Sequence, residues 1–319
     1  MNMSLPSRRA FLRQTGALAL ALPALRVHGA ALAATRRVST DSLEFAYATA
    51  GPEDGRPVVL AHDFGYGIES FASVAPLLAA AGVRVLAPQL RGHGATRFIE
   101  ATTPRSGRAA ALGQDLIDFI DALHIPEAVF AGFGWGAHAA WAASVVRPTR
   151  CVGLLLAGAG RIDEAGPRER YLYASTAGRR ALATAPRTLA REDWRRLSPR
   201  APFDSALFAQ VAPGFDNPDY AHVLAHAWLS RHAPDDPDAA PEPRHAALER
   251  KFIQPAAKPI AAITLDGGAS GAPSAPRNAV TGPRVHRVLP GVGHHLPHEA
   301  PRAFADAAIA LVHHGKWRT

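Results

Sequence analysis

The stretch Ala128-Val-Phe-Ala-Gly132-Phe-Gly134-Trp-Gly136-Ala-His-Ala-Ala-Trp141 leads an apolar strand through a glycine-rich turn into an apolar helix. A turn of the form G-x-Nuc-x-G lifts a nucleophile out of the chain at its apex. Gly132 and Gly136 take the two outer positions, but Gly134 stands at the centre, where glycine has no side chain with which to attack. A second segment, Gly291-Val-Gly293-His294-His-Leu-Pro-His-Glu299-Ala-Pro301, carries His294, a side-chain type able to take up or release a proton near neutral pH. A third, Leu60-Ala-His62-Asp63-Phe64-Gly65, follows an apolar strand and carries a carboxylate.

Other chemistries compete for these residues. Gly132-Phe-Gly134-Trp-Gly136-Ala137 also fits the dinucleotide fingerprint G-x-G-x-x-A. That fingerprint needs an acid at the end of the next strand to hold a ribose, and Leu156-Ala-Gly-Ala-Gly160 offers none. His222 and His226 lie one helical turn apart, and His294, His295 and His298 cluster, but neither set brings a carboxylate at metal-site spacing. The expectation is therefore a site without cofactor or metal.

These segments need a scaffold. Strand signals at Leu43–Thr49, Pro57–His62, Val83–Ala87, Glu127–Gly132 and Cys151–Ala157 alternate with helical ones at Ser70–Ala81, Arg108–Leu123 and Trp135–Val146. Continuous apolar strands separated by helices predict a parallel sheet covered on both faces. Residues from about 161 to 255 break the rhythm with an Arg/Ala-rich helical stretch ending in a Pro/Asp-rich loop, Ala233–Pro243. The alternation then resumes with strands at Pro259–Leu265 and Arg284–Leu289 and a helix from Glu299 to His313. At 319 residues the chain is long enough for one large α/β core with an inserted helical cap.

The first residues read differently. Ser7-Arg8-Arg9-Ala-Phe-Leu-Arg13 matches a twin-arginine export motif, and an apolar run, Thr15–Leu25, and the cleavage site Ala31-Leu-Ala33 follow in order. The reading is a signal peptide at 1–33, core at 34–160, cap at 161–255 and core again at 256–319. The protein is then exported through the twin-arginine machinery to the periplasm or beyond, with no stable membrane anchor. Residues 1–33 hold four arginines and no carboxylate, so their removal lowers the formal charge from +8 to +4. No basic stripe interleaves with aromatics, which argues against nucleic acid as a partner. The single cysteine, Cys151, excludes an internal disulfide.

Taken together, the chemical segments resemble the α/β-hydrolase fold, and within it the epoxide hydrolase and haloalkanoate dehalogenase branch. Leu60–Gly65 resembles the H-G-F-P/G oxyanion loop, and Pro88-Gln-Leu-Arg91-Gly-His93-Gly94 the P-D-L-R-G-H-G segment. Asp115–Ala137 is similar to the branch's helix, strand and G-x-D-W-G elbow, and Gly291–Pro301 to its catalytic-histidine loop. Gly214-Phe-Asp-Asn-Pro-Asp-Tyr220 looks like part of its cap.

The resemblance implies that an Asp at position 134 attacks carbon and that His294, oriented by an acid, activates water to hydrolyse the ester. It also implies oxyanion N–H groups from Phe64 and Trp135, and two cap tyrosines on the epoxide oxygen. Several of these residues are changed. Gly134 replaces the nucleophile and Ser270 replaces the acid in Asp266-Gly-Gly-Ala-Ser270-Gly271, leaving Asp266, Asp163 or Glu164 as substitutes. Asp63 replaces the oxyanion glycine and adds negative charge beside a site meant for an anion. Tyr171 or Tyr173 stands for one tyrosine, while Trp228 holds the place of the other.

The expectation is a small-molecule site in which covalent hydrolysis is lost and residual chemistry rests on His294. The alternative is a binding protein without catalysis. A pocket with free Phe64 and Trp135 N–H groups would take a small anion or polar group. For export, replacing Arg8 and Arg9 by lysine should leave uncleaved precursor in the cytoplasm, as read by fractionation and immunoblotting. Mature protein outside the cytoplasm in that variant would overturn the signal assignment.

Overall fold

A computed structural model describes residue 32 and residues 36–160, 166–253, 259–269, 282–315 and 317. The twin-arginine segment, Asp163, Glu164 and Ser270 lie outside the described residues. Among the described residues the core is a nine-stranded sheet: β1 Arg36–Ser39, β2 Leu43–Ala50, β3 Arg56–Ala61, β4 Val83–Pro88, β5 Arg97–Phe98, β6 Ala128–Phe133, β7 Cys151–Ala157, β8 Ala261–Gly267 and β9 Arg284–Leu289. Its order is β1-β2-β4-β3-β6-β7-β8-β9, with the short β5 pairing β2. β1, β2 and β5 are joined antiparallel, and all pairs from β4 through β9 are parallel. β6 and β7 are buried along their whole length, as a strand covered on both faces must be.

The order of the strands fixes where a ligand site can form. From β3 the chain steps outward to β4, then crosses back to β6 on the other side of β3. Loops leaving the carboxyl ends of β3 and β6 therefore diverge in opposite directions and open a crevice between them. Asp63 follows β3 and Gly134 follows β6, so both belong to that crevice.

Core helices α1 Ala75–Ala80, α2 Ala109–Ala122 and α3 Trp135–Val146 precede the cap. The cap comprises α4 Pro167–Ala174, α5 Thr176–Thr184, α6 Pro186–Leu197, α7 Ser205–Val211, α8 Tyr220–His232 and α9 Ala246–Ile253. The chain closes with α10 Leu296–Glu299 and α11 Pro301–His314. The anticipated single helix over 70–81 is instead a 3-10 turn, Ile68–Phe71, followed by α1. Likewise the helix expected from Glu299 divides at Ala300 (φ −137°), because the residue before Pro301 is pushed out of helical geometry. Among the described residues no helix is long and apolar enough to cross a membrane.

The Arg91 guanidinium is fully buried and locks the returning end of the cap insertion to the core. Its Nε and Nη2 donate to Asp115 on α2 at 2.5 and 2.7 Å, and its Nη1 donates to the Ser106 carbonyl at 2.6 Å and to Glu242 at 3.2 Å. Burial opposes the charge, yet Asp115 and Glu242 outweigh it and raise the guanidinium's pKa. Removing one member leaves a buried charge short of partners, which is costlier than never having the pair. Asp115→Ala is expected to lower the unfolding free energy by about 3–5 kcal/mol in urea titration. A loss within the ordinary surface range would show that Ser106 and Glu242 suffice.

Candidate active site

The site begins with a loop pinned at its backbone. His62 Nε2 accepts the Leu90 N–H at 3.0 Å, so Nδ1 must carry the ring proton, which it donates to the Asp63 carbonyl at 2.9 Å. Burial lowers the His62 pKa to about 4, against the opposing pull of Asp63, so the ring stays neutral and this tautomer is fixed. The chain then turns through Gly65 (φ +79°), closed by the Tyr66 N–H on the Asp63 carbonyl at 3.2 Å.

The Gly134 turn meets this loop. Gly134 (φ 54°, ψ −123°) sits between β6 and α3 in a conformation that costs an L-residue about 1–3 kcal/mol. Any Cβ at position 134 would overlap the carboxyl carbon and both carboxylate oxygens of Asp63. The Asp63 carboxylate thus fills the volume that a side chain at the turn would occupy.

Its bonding is specific. Asp63 Oδ1 accepts the N–H groups of Phe64 at 2.8 Å and Trp135 at 2.7 Å, the latter at the N-terminus of α3, where a negative charge is favoured. Oδ2 accepts from His294 Nε2 at 2.8 Å. Asp63 is 2 % exposed and His294 1 %. Two sequence expectations are corrected here. Asp63 is not stray negative charge beside an anion site, because its own carboxylate is the anion held there. The Phe64 and Trp135 N–H groups are accordingly not free to bind an external anion.

His294 is positioned by Glu299. Its carboxylate accepts the Gly293 N–H at 2.7 Å, the His295 N–H at 3.1 Å and the Ser198 hydroxyl at 2.6 Å, so it clamps the backbone on both sides of His294. The His294 N–H in turn bonds the carbonyl of Leu197, the last residue of α6, at 3.1 Å. Trp194 Nε1 donates to the Gly65 carbonyl at 2.8 Å. One cap helix therefore braces both the histidine loop and the Asp63 loop. Asp266 is buried at the end of β8, with His286 Nε2 at 3.9 Å.

A small cavity of about 50 Å³ opens beside Asp63, lined by Asp63, Trp135, Tyr173, Tyr220 and Trp228 among others. Trp135 stacks on Phe64 with ring centroids 5.2 Å apart, and Tyr173 stacks on Trp228 at 5.8 Å. Of the two candidate tyrosines, Tyr173 faces this cavity. Tyr171 does not: it is 53 % exposed and lines a separate surface hollow with Arg170 and Ala174, because the two side chains leave α4 in different directions. Tyr220 was not singled out from the sequence, yet it lines the same cavity. Its signal was present in Gly214–Tyr220, where the tyrosine opens α8. Burial, then Tyr173, Asp193 and Asp63, push the Tyr220 hydroxyl pKa well up, so it keeps its proton to donate.

His226 is not free to ligate a metal: Nδ1 accepts the Gly107 N–H at 3.2 Å and Nε2 contacts the Ala240 carbonyl at 3.0 Å. The dinucleotide reading also lacks space, since the Asp63 carboxylate fills the mouth of the turn above Gly134. The close packing at Gly132 and Gly136 joins β6 and α3 to each other and to β3.

A parallel sheet with a switch-point crevice, a strand-to-helix turn, a histidine loop after the last strand and a helical cap define an α/β-hydrolase. The chain belongs to the alpha/beta hydrolase family, whose model matches residues 58–307. It is similar to a solved structure from Klebsiella pneumoniae named as a "putative epoxide hydrolase", with 33% identity, a TM-score of 0.79, and coverage of 87% of this chain and 97% of that one. Epoxide Hydrolase A from Mycobacterium thermoresistibile shares the fold at a TM-score of 0.60 and 20% identity, covering 89% of this chain and 99% of that one. Among curated relatives, Epoxide hydrolase B of Mycobacterium tuberculosis is 33% identical over 103 residues, 32% of this chain. Epoxide hydrolase A of the same organism is 36% identical over 116 residues, 36% of this chain. These matches span only 28% and 35% of the relatives' lengths.

The overlap at Gly134 makes a quantitative expectation. Gly134→Ala should destabilise by about 2–4 kcal/mol, from backbone strain plus collision with Asp63. In an Asp63→Gly background the same change should cost at least about 1 kcal/mol less, giving a coupling energy in a double-mutant cycle of urea denaturation. Additive effects would show that the carboxylate does not occupy the space above residue 134.

Proposed function

We propose that this protein is an exported hydrolase of the epoxide-hydrolase type, adding water to a small uncharged ring ether beneath the cap. The observation that carries the reading is the buried Asp63 carboxylate, held by two backbone N–H groups and in contact with His294. A carboxylate, an imidazole and directed amide donors are the parts that water addition needs. Tyr173 on α4 and Tyr220 on α8, two cap helices that line the same cavity, supply hydroxyl donors for the ring oxygen. The relatives named as epoxide hydrolases support the same chemistry.

The cavity's charge favours a neutral substrate over a haloacid. Asp63, Glu169 and Asp193 all contribute to its lining, and no Lys, Arg or His does so among the described residues. Arg196 bonds both Glu169 and Asp193, and Arg168 bonds Asp193, so the cations stand behind the acids. A carboxylate substrate would meet like charge at close range. The small volume favours a substrate of few heavy atoms.

Mature protein from Ala34 onward is expected to convert a small terminal epoxide such as propylene oxide to its diol, and to leave chloroacetate unchanged. His294→Gln should reduce diol formation by about 10²–10⁴-fold, the usual contribution of one positioned acid or base. Saturable epoxide binding without any diol, measured by calorimetry and chromatography, would overturn the reading in favour of a binding protein. Turnover of chloroacetate would overturn the choice of substrate class.

A further inference from the structure

We infer that Asp63 is the covalent nucleophile, so that the reactive carboxylate is delivered from the loop after β3 rather than from the turn after β6; this rests on the hydrolase reading above. Three observations support it. The carboxylate lies in the volume a side chain at position 134 would fill, and glycine at 134 is what leaves that volume open. Oδ1 already engages the two N–H groups suited to an oxyanion, 2.8 and 2.7 Å away. Oδ2, the remaining oxygen, meets the base at 2.8 Å and belongs to a residue that lines the substrate cavity.

The geometry assigns the two oxygens different tasks. An Oδ2 electron pair forms a bond to a ring carbon, and the ring C–O bond breaks with its pair going to the ring oxygen. The Nε2 proton that bonds Oδ2 at rest passes to that oxygen, while Tyr173 and Tyr220 hydrogen-bond it. The step requires the resting ring to carry a proton on both nitrogens, so that Nε2 is then free with the other proton still on Nδ1; the alkylated Oδ2 is a poorer acceptor, and a water takes its place beside the ring. Nε2 removes one proton from this water as its oxygen bonds the Asp63 carboxyl carbon. Charge collects on Oδ1, where the Phe64 and Trp135 N–H groups already point. The bond from the carboxyl carbon to Oδ2 breaks, and Oδ2 leaves within the diol, taking the water's second proton. Asp63 is again a carboxylate and Nε2 again carries its proton. Epoxide plus water has become diol.

This sequence leaves an isotopic record that simple base catalysis does not. In a single turnover in H₂¹⁸O, with enzyme in excess over propylene oxide, the diol should be unlabelled and the peptide carrying Asp63 should gain one ¹⁸O. Labelled diol with unlabelled Asp63 would overturn the inference while leaving the hydrolase reading intact. If no diol forms but the epoxide's mass is found on Asp63, the nucleophile stands and the hydrolase reading fails. Neither diol nor adduct would overturn both.

Exchange of the two residues supplies a second test. Asp63→Gly with Gly134→Asp should restore adduct formation, now on residue 134, whereas Gly134→Asp alone should lower the melting temperature because two side chains compete for one space. Asp63→Asn keeps the side-chain shape and guards against a variant that merely fails to fold. It should retain the wild-type melting temperature within a few degrees and lose at least about 10³-fold in diol formation. Asp63→Asn with turnover near that of the wild type would overturn the assignment.

Discussion

The site depends on one buried carboxylate. Burying a carboxylate without partners is costly, and the buried Asp63 side chain is tolerable here because its oxygens accept three hydrogen bonds. Those bonds come from three separate parts of the chain: the loop after β3, the first turn of α3 and the loop after β9. Each donor is itself fixed elsewhere, Phe64 by the His62-pinned turn, Trp135 by the helix it starts and His294 by the Glu299 clamp. The carboxylate is therefore the joint at which the two sides of the crevice meet.

The sheet explains why such a joint exists. A strand order in which the chain leaves β3 on one side and returns at β6 on the other brings the two following loops face to face. In that arrangement a side chain on either loop reaches the same point in space, separated in sequence by 71 positions yet adjacent in the fold. The cap completes the enclosure from above. Leu197, Ser198 and Trp194, at or just beyond one helix, bond the histidine loop, Glu299 and the Asp63 loop, respectively. Movement of that helix would loosen both halves of the Asp63–His294 contact together.

Much of this was legible in the chain. Periodicity placed the principal strands and the central helices, and the Gly132–Gly136 spacing and the His294 loop marked the site. What periodicity missed is short or locally irregular: β1 and β5 at four and two residues, and the break at Ala300. The meaning of Asp63 was hidden for a deeper reason. Read along the chain, an acid replacing glycine in an oxyanion loop and a glycine replacing an acid at a turn are two separate losses. Only the fold shows that they concern one volume. Tyr220 was obscured in the same way, since its neighbours in sequence mark a helix start and its neighbours in space are the cavity and Asp63.

A carboxylate needs certain surroundings to be useful as a nucleophile: amide donors on one oxygen, an open approach to the other, and a base within reach. None of these requirements specifies the backbone atom from which the side chain hangs. Delivery from β3 instead of β6 preserves all of them and changes only the direction of entry, provided the second position carries no Cβ. Gly134 meets that condition, and its left-handed backbone removes the strain that a side-chain-bearing residue would store at the turn. The same reasoning accounts for the tolerance of Asp63 where glycine is expected. Without the vacancy above Gly134, its carboxylate would have no room beside His294, and its burial would be uncompensated. In the assignment proposed above, Asp63 and Gly134 are each unfavourable alone and permitted by the other, one functional group moved rather than two features lost.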